Sequence, residues 1–185
     1  MRRYELETER EGSAVYFFIR DIETLDIVLL PTKYLMHKIR SKCSPNTIRR
    51  SALSILYYLE YIHEKEQELI DIYQMPYVEQ TEHFVKFLYW LKAGKHTQDE
   101  NHRSPNNGTC NAYLKDVFRF YLFIEAEYEQ YGSLKTLSYN QIIAVNQVGV
   151  KKVLRNHSFK AYLKEEEHRG RTAKENQIIT ILQAC

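Results

Sequence analysis

SPNTIRRSALSILYYLEYI, residues 44–62, decides the fold class. Ser44 suits the position before a helix, where its hydroxyl can accept a first-turn N–H, and Pro45 follows where a missing N–H costs nothing. Ile48, Ala52, Ile55, Leu56, Leu59 and Ile62 then recur at helical spacing. The stretch is predicted to be a helix of about five turns with one apolar face. Its opening turn and a half carries Arg49 and Arg50, although a helix amino terminus already bears about half a positive charge. An adjacent anion would resolve that excess.

The segments on either side extend the helical pattern. Residues 14–29, AVYFFIRDIETLDIVL, place β-branched and aromatic runs either side of Asp21 to Thr24, which predicts a small hairpin. Pro31 opens a short helix with Leu35, Met36 and Ile39 on one face. A further helix is predicted to start near Thr81, with Phe84, Val85, Leu88 and Leu91 inward and Lys86 and Lys92 outward, and to stop at Gly94. KHTQDENHRSPNNG, residues 95–108, is polar and turn-rich and reads as a mobile loop. In TCNAYLKDVFRFYLFIEAEY, residues 109–128, Thr109 is the predicted cap. Only Arg119 is charged between Val117 and Ile124, so this helix should be the central, most buried one.

Residues 139–157 are ambiguous because of their valines and isoleucines; two short helices around Gly149 are expected, then another opened by Ser158 with Phe159, Tyr162 and Leu163. Thr172 followed by Glu175 starts a capping-box helix with Ile178, Ile179 and Leu182 on its apolar face. No C-cap precedes Cys185, so a further domain is expected beyond it. The expected architecture is a mainly α helical bundle with a small N-terminal β-hairpin. Its divisions are an extension at 1–30, a helical domain at 31–168, and a linker with the first helix of another domain at 169–185.

Composition narrows the class. At 185 residues and 44% hydrophobic content the chain can bury a substantial core. No stretch approaches the roughly 20 apolar residues of a membrane span. The amino terminus, MRRYELETEREG, has no apolar signal region behind it, so a cytoplasmic protein is expected. Cys43, Cys110 and Cys185 are odd in number and lack CxxC spacing, which favours reduced thiols. The net charge is only +2, but acids are absent between Asp26 and Glu60, where Lys33, Lys38, Arg40, Lys42, Arg49 and Arg50 fall. A second acid-free run, from Gln130 to Lys164, holds Lys135, Lys151, Lys152, Arg155, Lys160 and Lys164. Two such runs in a nearly neutral protein point to a side that faces a polyanion.

Catalytic patterns are missing from the sequence. The histidines form no HExxH, and there is no GxxxxGK[ST] phosphate loop, GxGxxG turn or GxSxG elbow. Glu165, Glu166 and Glu167 are consecutive and cannot converge from one helix face. Asn107 to Thr109 matches a glycosylation sequon but reads as a turn followed by a cap. The fifteen tyrosines read as packing residues with polar tips.

Binding is better supported. Unpaired N–H groups at a helix start, joined by Arg49 and Arg50, make a phosphate site, and Asn46 can reach a phosphate or a base edge. Asn107, Thr109, Asn111 and Lys115 decorate another helix start in the same way. With these in view, the ordered set SPNTIRRSALSILYYLEYI, TEHFVKFLYWLKAG, NNGTCNAYLKDVFRFYLFI and TAKENQIITILQAC resembles the amino-terminal half of a tyrosine recombinase of the phage-integrase family. The likeness covers about residues 31–185 and resembles integrase-type transposases of bacterial mobile elements more than the shortest recombinases.

That resemblance implies a core-binding domain of the SAM-like helical type that closes one side of a clamp around double-stranded DNA. A linker and a catalytic domain would follow. Strand cleavage through a 3′-phosphotyrosine, without metal or nucleotide cofactor, would belong to residues beyond this chain, which should grip DNA without cutting it. The implied DNA-facing positions are Asn46, Thr47, Arg49 and Arg50, then Thr109, Asn111 and Lys115, with Lys86, Lys92 and Lys95 on the intervening helix and Arg169, Arg171 and Lys174 in the linker. Implied partners are duplex DNA and other recombinase protomers, with no membrane and no small-molecule cofactor. Residues 134–157 and the hairpin are additions to the family's minimal domain. The alternative is a helical adaptor that binds another protein through Tyr57, Tyr58, Tyr61 and Tyr89.

Overall fold

Ser44 caps α2 (Pro45–Glu64) as its sequence requires, its Oγ accepting the N–H of Thr47 at 3.3 Å. The computed structural model describes residues 2–12, 14–97, 104–137, 139–145, 151–157 and 159–165. Around α2 stand α1 (Leu29–Arg40), α3 (Leu69–Gln74), α4 (Tyr77–Lys92) and α5 (Asn107–Glu127). An antiparallel hairpin of β1 (Tyr4–Glu11) and β2 (Ala14–Asp21) precedes them, and a second, β3 (Tyr139–Val145) with β4 (Lys151–His157), follows. The protein is mainly helical with a small N-terminal hairpin. No helix among the described residues is long and apolar enough to cross a membrane.

All six apolar positions read from α2 are buried, as are Leu114, Val117, Phe118, Phe120, Tyr121 and Ile124 of α5. These two helices, with Phe84, Phe87, Leu88 and Leu91 of α4, form the core. At its centre Tyr58 is fully buried, its hydroxyl 2.8 Å from both His83 Nε2 and the Tyr121 hydroxyl. One phenolic proton serves only one neighbour, so the other must donate to Tyr58. Tyr61 donates to the His83 carbonyl and Tyr73 to that of Tyr121, each at 3.2 Å.

The predicted end of α4 is present in full. Gly94 has φ +75°, its N–H bonds the Leu91 carbonyl and the Lys95 N–H the Trp90 carbonyl, the two bonds of a left-handed helix stop. Space is open where a Cβ would stand, so Gly94→Ala isolates the backbone cost. It should lower stability by about 1 kcal/mol, measured by urea unfolding.

Several expectations are corrected. Within 14–29 only the first half is a strand; the second half contributes a single bridge, Arg20 to Ile27, and the true partner is the charged segment β1. Glu60 of α2 accepts the backbone N–H groups of Arg3 and Tyr4, at 3.3 and 2.7 Å, which anchors β1 through a contact distant in sequence. Alternate residues Phe17 and Ile19 of β2 enter the core, so the hairpin and the helices share one interior. α4 begins at Tyr77, one turn before Thr81, and α5 is capped by Asn106 rather than Thr109. Residues 139–145 and 151–157 are strands paired from Tyr139 opposite His157 to Val145 opposite Lys151, not helices. Their β-branched residues suit a pleated strand better than a helix.

Residues 159–165 form an irregular strap instead of a helix. Phe159 is buried against Phe118, and the Leu163 N–H donates to Asn111 Oδ1 at 3.0 Å. The strap spends its polar backbone on α5 side chains. The predicted helix from Thr172 lies outside the described residues.

Candidate nucleic-acid interface

At the start of α2, Asn46, Arg49 and Arg50 are exposed, and Thr47 is engaged with Ser44 through both its backbone and its hydroxyl. Pro45 has no N–H, and Ser44 takes the Thr47 N–H with its hydroxyl and the Ile48 N–H with its carbonyl, so Asn46 supplies the one first-turn N–H that Ser44 does not engage. Arg49 makes no ion pair among the described residues. Arg50 is different: its Nε donates to Asp116 Oδ2 at 2.9 Å, and Arg119 donates to Oδ1 of the same carboxylate at 2.6 Å. Asp116 is completely buried while both guanidinium side chains stay about half exposed. The carboxylate's hydrogen bond and charge raise the Arg50 pKa further above its ordinary value. One buried negative charge thus fixes two arginines on α2 and α5 and leaves a net positive charge at the surface.

Lys115, one turn before Arg119 on α5, is exposed, with Nζ 5.3 Å from the centroid of the Tyr162 ring in the strap. Lys115, Arg119 and Lys160 line a groove of about 410 Å³ floored by Phe118, Leu122 and Phe159. The charged side chains of this groove are all cationic. Arg50 meets Asp116, Tyr57 packs on Tyr113 and Tyr58 meets Tyr121, so α2 and α5 cross in the core.

The start of α5 nevertheless differs from that of α2. The Asn106 side chain accepts the Thr109 N–H at 2.7 Å, and Asn107 donates to the Lys164 carbonyl at 2.8 Å. Asn111 is only 1% exposed; its amide donates to the Leu163 carbonyl at 2.8 Å and to Glu165 at 3.1 Å. The Glu165 carboxylate lies 3.6 Å from the point where a Cβ on Gly108 would stand. A carboxylate there suits the positive end of the helix. The strap therefore already fills the position read as a second phosphate site, and Asn111 is a structural clamp.

Of the remaining candidates, Lys86 pairs with Glu82 at 3.2 Å, and Lys92 reaches the Pro105 carbonyl at 3.4 Å just before α5. Lys95 pairs with Glu64, the last residue of α2, at 3.5 Å. Glu64 is fourteen residues from Arg50, roughly 21 Å along the helix. Lys95 therefore belongs to the opposite end. Arg169, Arg171 and Lys174 lie outside the described residues. The structure brings Asn46, Thr47, Arg49, Arg50 and Lys115 to one region and adds Arg119 and Lys160. Arg119 had a signal in sequence: a lone charge in an apolar run, next to Asp116, calls for a partner.

Tyr58 and Tyr61 are buried and Tyr57 half-buried; of the four tyrosines assigned to an adaptor surface only Tyr89 is exposed, at 61%. Cys43 and Cys110 are free thiols. Among the described residues no cluster of three or more His, Cys, Asp or Glu side chains is placed to hold a metal. Comparison with known proteins finds no counterpart: no family model, curated protein or solved structure matches the chain.

Proposed function

We propose that this chain is a DNA-gripping core-binding module of a tyrosine recombinase, with strand cleavage and joining carried out by residues outside it. The observation that carries the reading is the amino end of α2. It is an open helix start with exposed Arg49 and Asn46, beside a pair of arginines held by a single buried carboxylate. The Asn46 N–H and the Arg49 guanidinium are the donors this helix start would offer a phosphate. Lys115, Arg119 and Lys160 continue the positive surface along α5 and the strap. A cytoplasmic protein acting on duplex DNA alongside further protomers is the setting this reading requires. The adaptor alternative has lost its surface, because two of its four tyrosines are core residues.

The test is fluorescence anisotropy with a short labelled duplex at two salt concentrations. Binding should weaken steeply with salt, with a slope of about −0.9 per phosphate neutralised, and fall in the range of ~10⁻⁴ to 10⁻⁶ M at physiological salt. Arg49→Glu should weaken it several-fold and reduce the slope by about one, with the helical circular dichroism unchanged. Arg50→Glu is not an equivalent probe, because it sets a second carboxylate against buried Asp116. Full affinity in Arg49→Glu would remove the start of α2 from the site, and no binding at low salt would reject the reading.

A further inference from the structure

Phosphate contact accounts for the cations of the groove between α5 and the strap but leaves its floor without a use. Lys115, Phe118, Arg119 and Leu122 follow one another at three- and four-residue steps, so they share one face of α5 and set two apolar positions beside two basic ones. The strap supplies the other side with Phe159, Lys160 and Tyr162.

The floor is aromatic and fixed. Phe118 meets Phe159 edge-on with ring centroids 5.3 Å apart, and Phe159 meets Tyr162 in the same way at 4.9 Å. Phe118 and Phe159 are almost fully buried at the bottom, whereas Leu122 and Tyr162 are half-buried and keep apolar surface open. The cations stand above them. Arg119 gives Asp116 its Nη1, which leaves Nε and Nη2 for another acceptor. Asp116 also serves Arg50, so one carboxylate is divided between two guanidinium groups and their sum stays positive. Lys115 rests over the Tyr162 ring, a contact that holds its position and does not cancel its charge.

A phosphate backbone needs only the cations. Rings packed edge-to-face accept a further ring in the same manner, and a groove of about 410 Å³ falls within the size range of small-molecule sites. We infer that this groove is a site for an aromatic monophosphate, a ligand of one or two rings that lies on Leu122 and Tyr162 and turns its phosphate toward Lys115 and Arg119. Neither half of such a ligand uses the whole groove: inorganic phosphate leaves the floor wet, and a neutral ring leaves the cations without an anion.

Isothermal titration calorimetry of the purified chain without DNA, with 1-naphthyl phosphate as the probe, tests the site independently of the DNA reading. Binding should be saturable and one-to-one, and about tenfold or more tighter than that of 1-naphthol or of inorganic phosphate. Leu122→Glu, which sets a carboxylate in the floor, should weaken it by about tenfold or more. Lys115→Glu changes an exposed position, so it decides the matter even if Leu122→Glu folds poorly; it should weaken binding several-fold with unchanged circular dichroism. Lys65→Glu makes the same charge change just past the far end of α2 and should bind as the wild type does. No saturation with millimolar probe, a fragment that binds as tightly as the whole, or a Lys115→Glu chain that binds no worse than Lys65→Glu would each overturn the inference.

Discussion

Tyr58→Ala should lower the stability of the chain by about 4 kcal/mol, a large share of the 5–15 kcal/mol that holds a domain of this kind together. The ring lies within 6.3 Å of the centroids of Tyr61, His83, Phe84, Phe87 and Tyr121, so its removal opens a cavity bordered by α2, α4 and α5 at once. It also strips the shared partner from His83 and Tyr121. Burial pushes the phenols of both Tyr58 and Tyr121 well above their usual pKa, so neither can ionise to compensate. Tyr58→Phe separates the two contributions: it keeps the packing and should cost only about 1–3 kcal/mol, the penalty of orphaned buried polar groups. Urea denaturation followed by circular dichroism reads both. If Tyr58→Phe costs nothing, the hydroxyl network is not holding the core.

Mild acid should produce the second large effect. Burial, with a smaller contribution from Lys86, lowers the pKa of His83 from 6.5 to about 4. The unfolded chain therefore takes up a proton between those two values that the folded chain refuses. Stability from this residue is complete above about pH 6.5, falls as pH drops toward 4, and changes no further below that. The full loss is about 3 kcal/mol. Carboxylates held below their ordinary values, such as Glu64 hydrogen-bonded to Trp90 and Glu7 to Arg20, lose their contribution at lower pH. Between 6.5 and 4.5 the fall comes from His83, partly offset by Glu125, whose burial raises its pKa so that the folded chain takes up its proton more readily than the unfolded one. His83→Gln should flatten that part of the stability profile even if it lowers stability overall; an unflattened profile would place the titrating group elsewhere.

The helices were legible where their signals were local. Ser44, Pro45 and the spacing from Ile48 to Ile62 specify α2 without help from the rest of the chain, and Gly94 ends α4 by its own conformational freedom. Signals that depend on distant partners were not legible. β1, with the sequence YELETERE, looks like a solvated charged stretch; it becomes a strand by pairing with β2 and by giving N–H groups to Glu60, more than fifty residues away. The strap at 159–165 has helical spacing of Phe159, Tyr162 and Leu163, but Asn111 captures the backbone and prevents the helix. The same contact explains why one of the two decorated helix starts remained a candidate site while the other did not. Side-chain identity placed amides and cations near both, and only the fold shows that Glu165 already covers the second. α3 carried no strong periodicity in its six residues and was missed altogether.

Asp116 also makes the two kinds of positive charge on this surface respond differently to their surroundings. Arg50 and Arg119 are oriented by a partner that solvent does not reach, whereas Arg49 is exposed with no ion pair among the described residues and Lys115 rests on the exposed side of the Tyr162 ring. Raising the ionic strength screens the reach of all four toward a distant polyanion, yet weakens the buried attachment much less. If the proposed DNA-gripping role holds, a protein released from its ligand in high salt would keep the shape of this face. Arg50 and Arg119 would remain in place, and rebinding on dilution would have to order only the side chains that were loose.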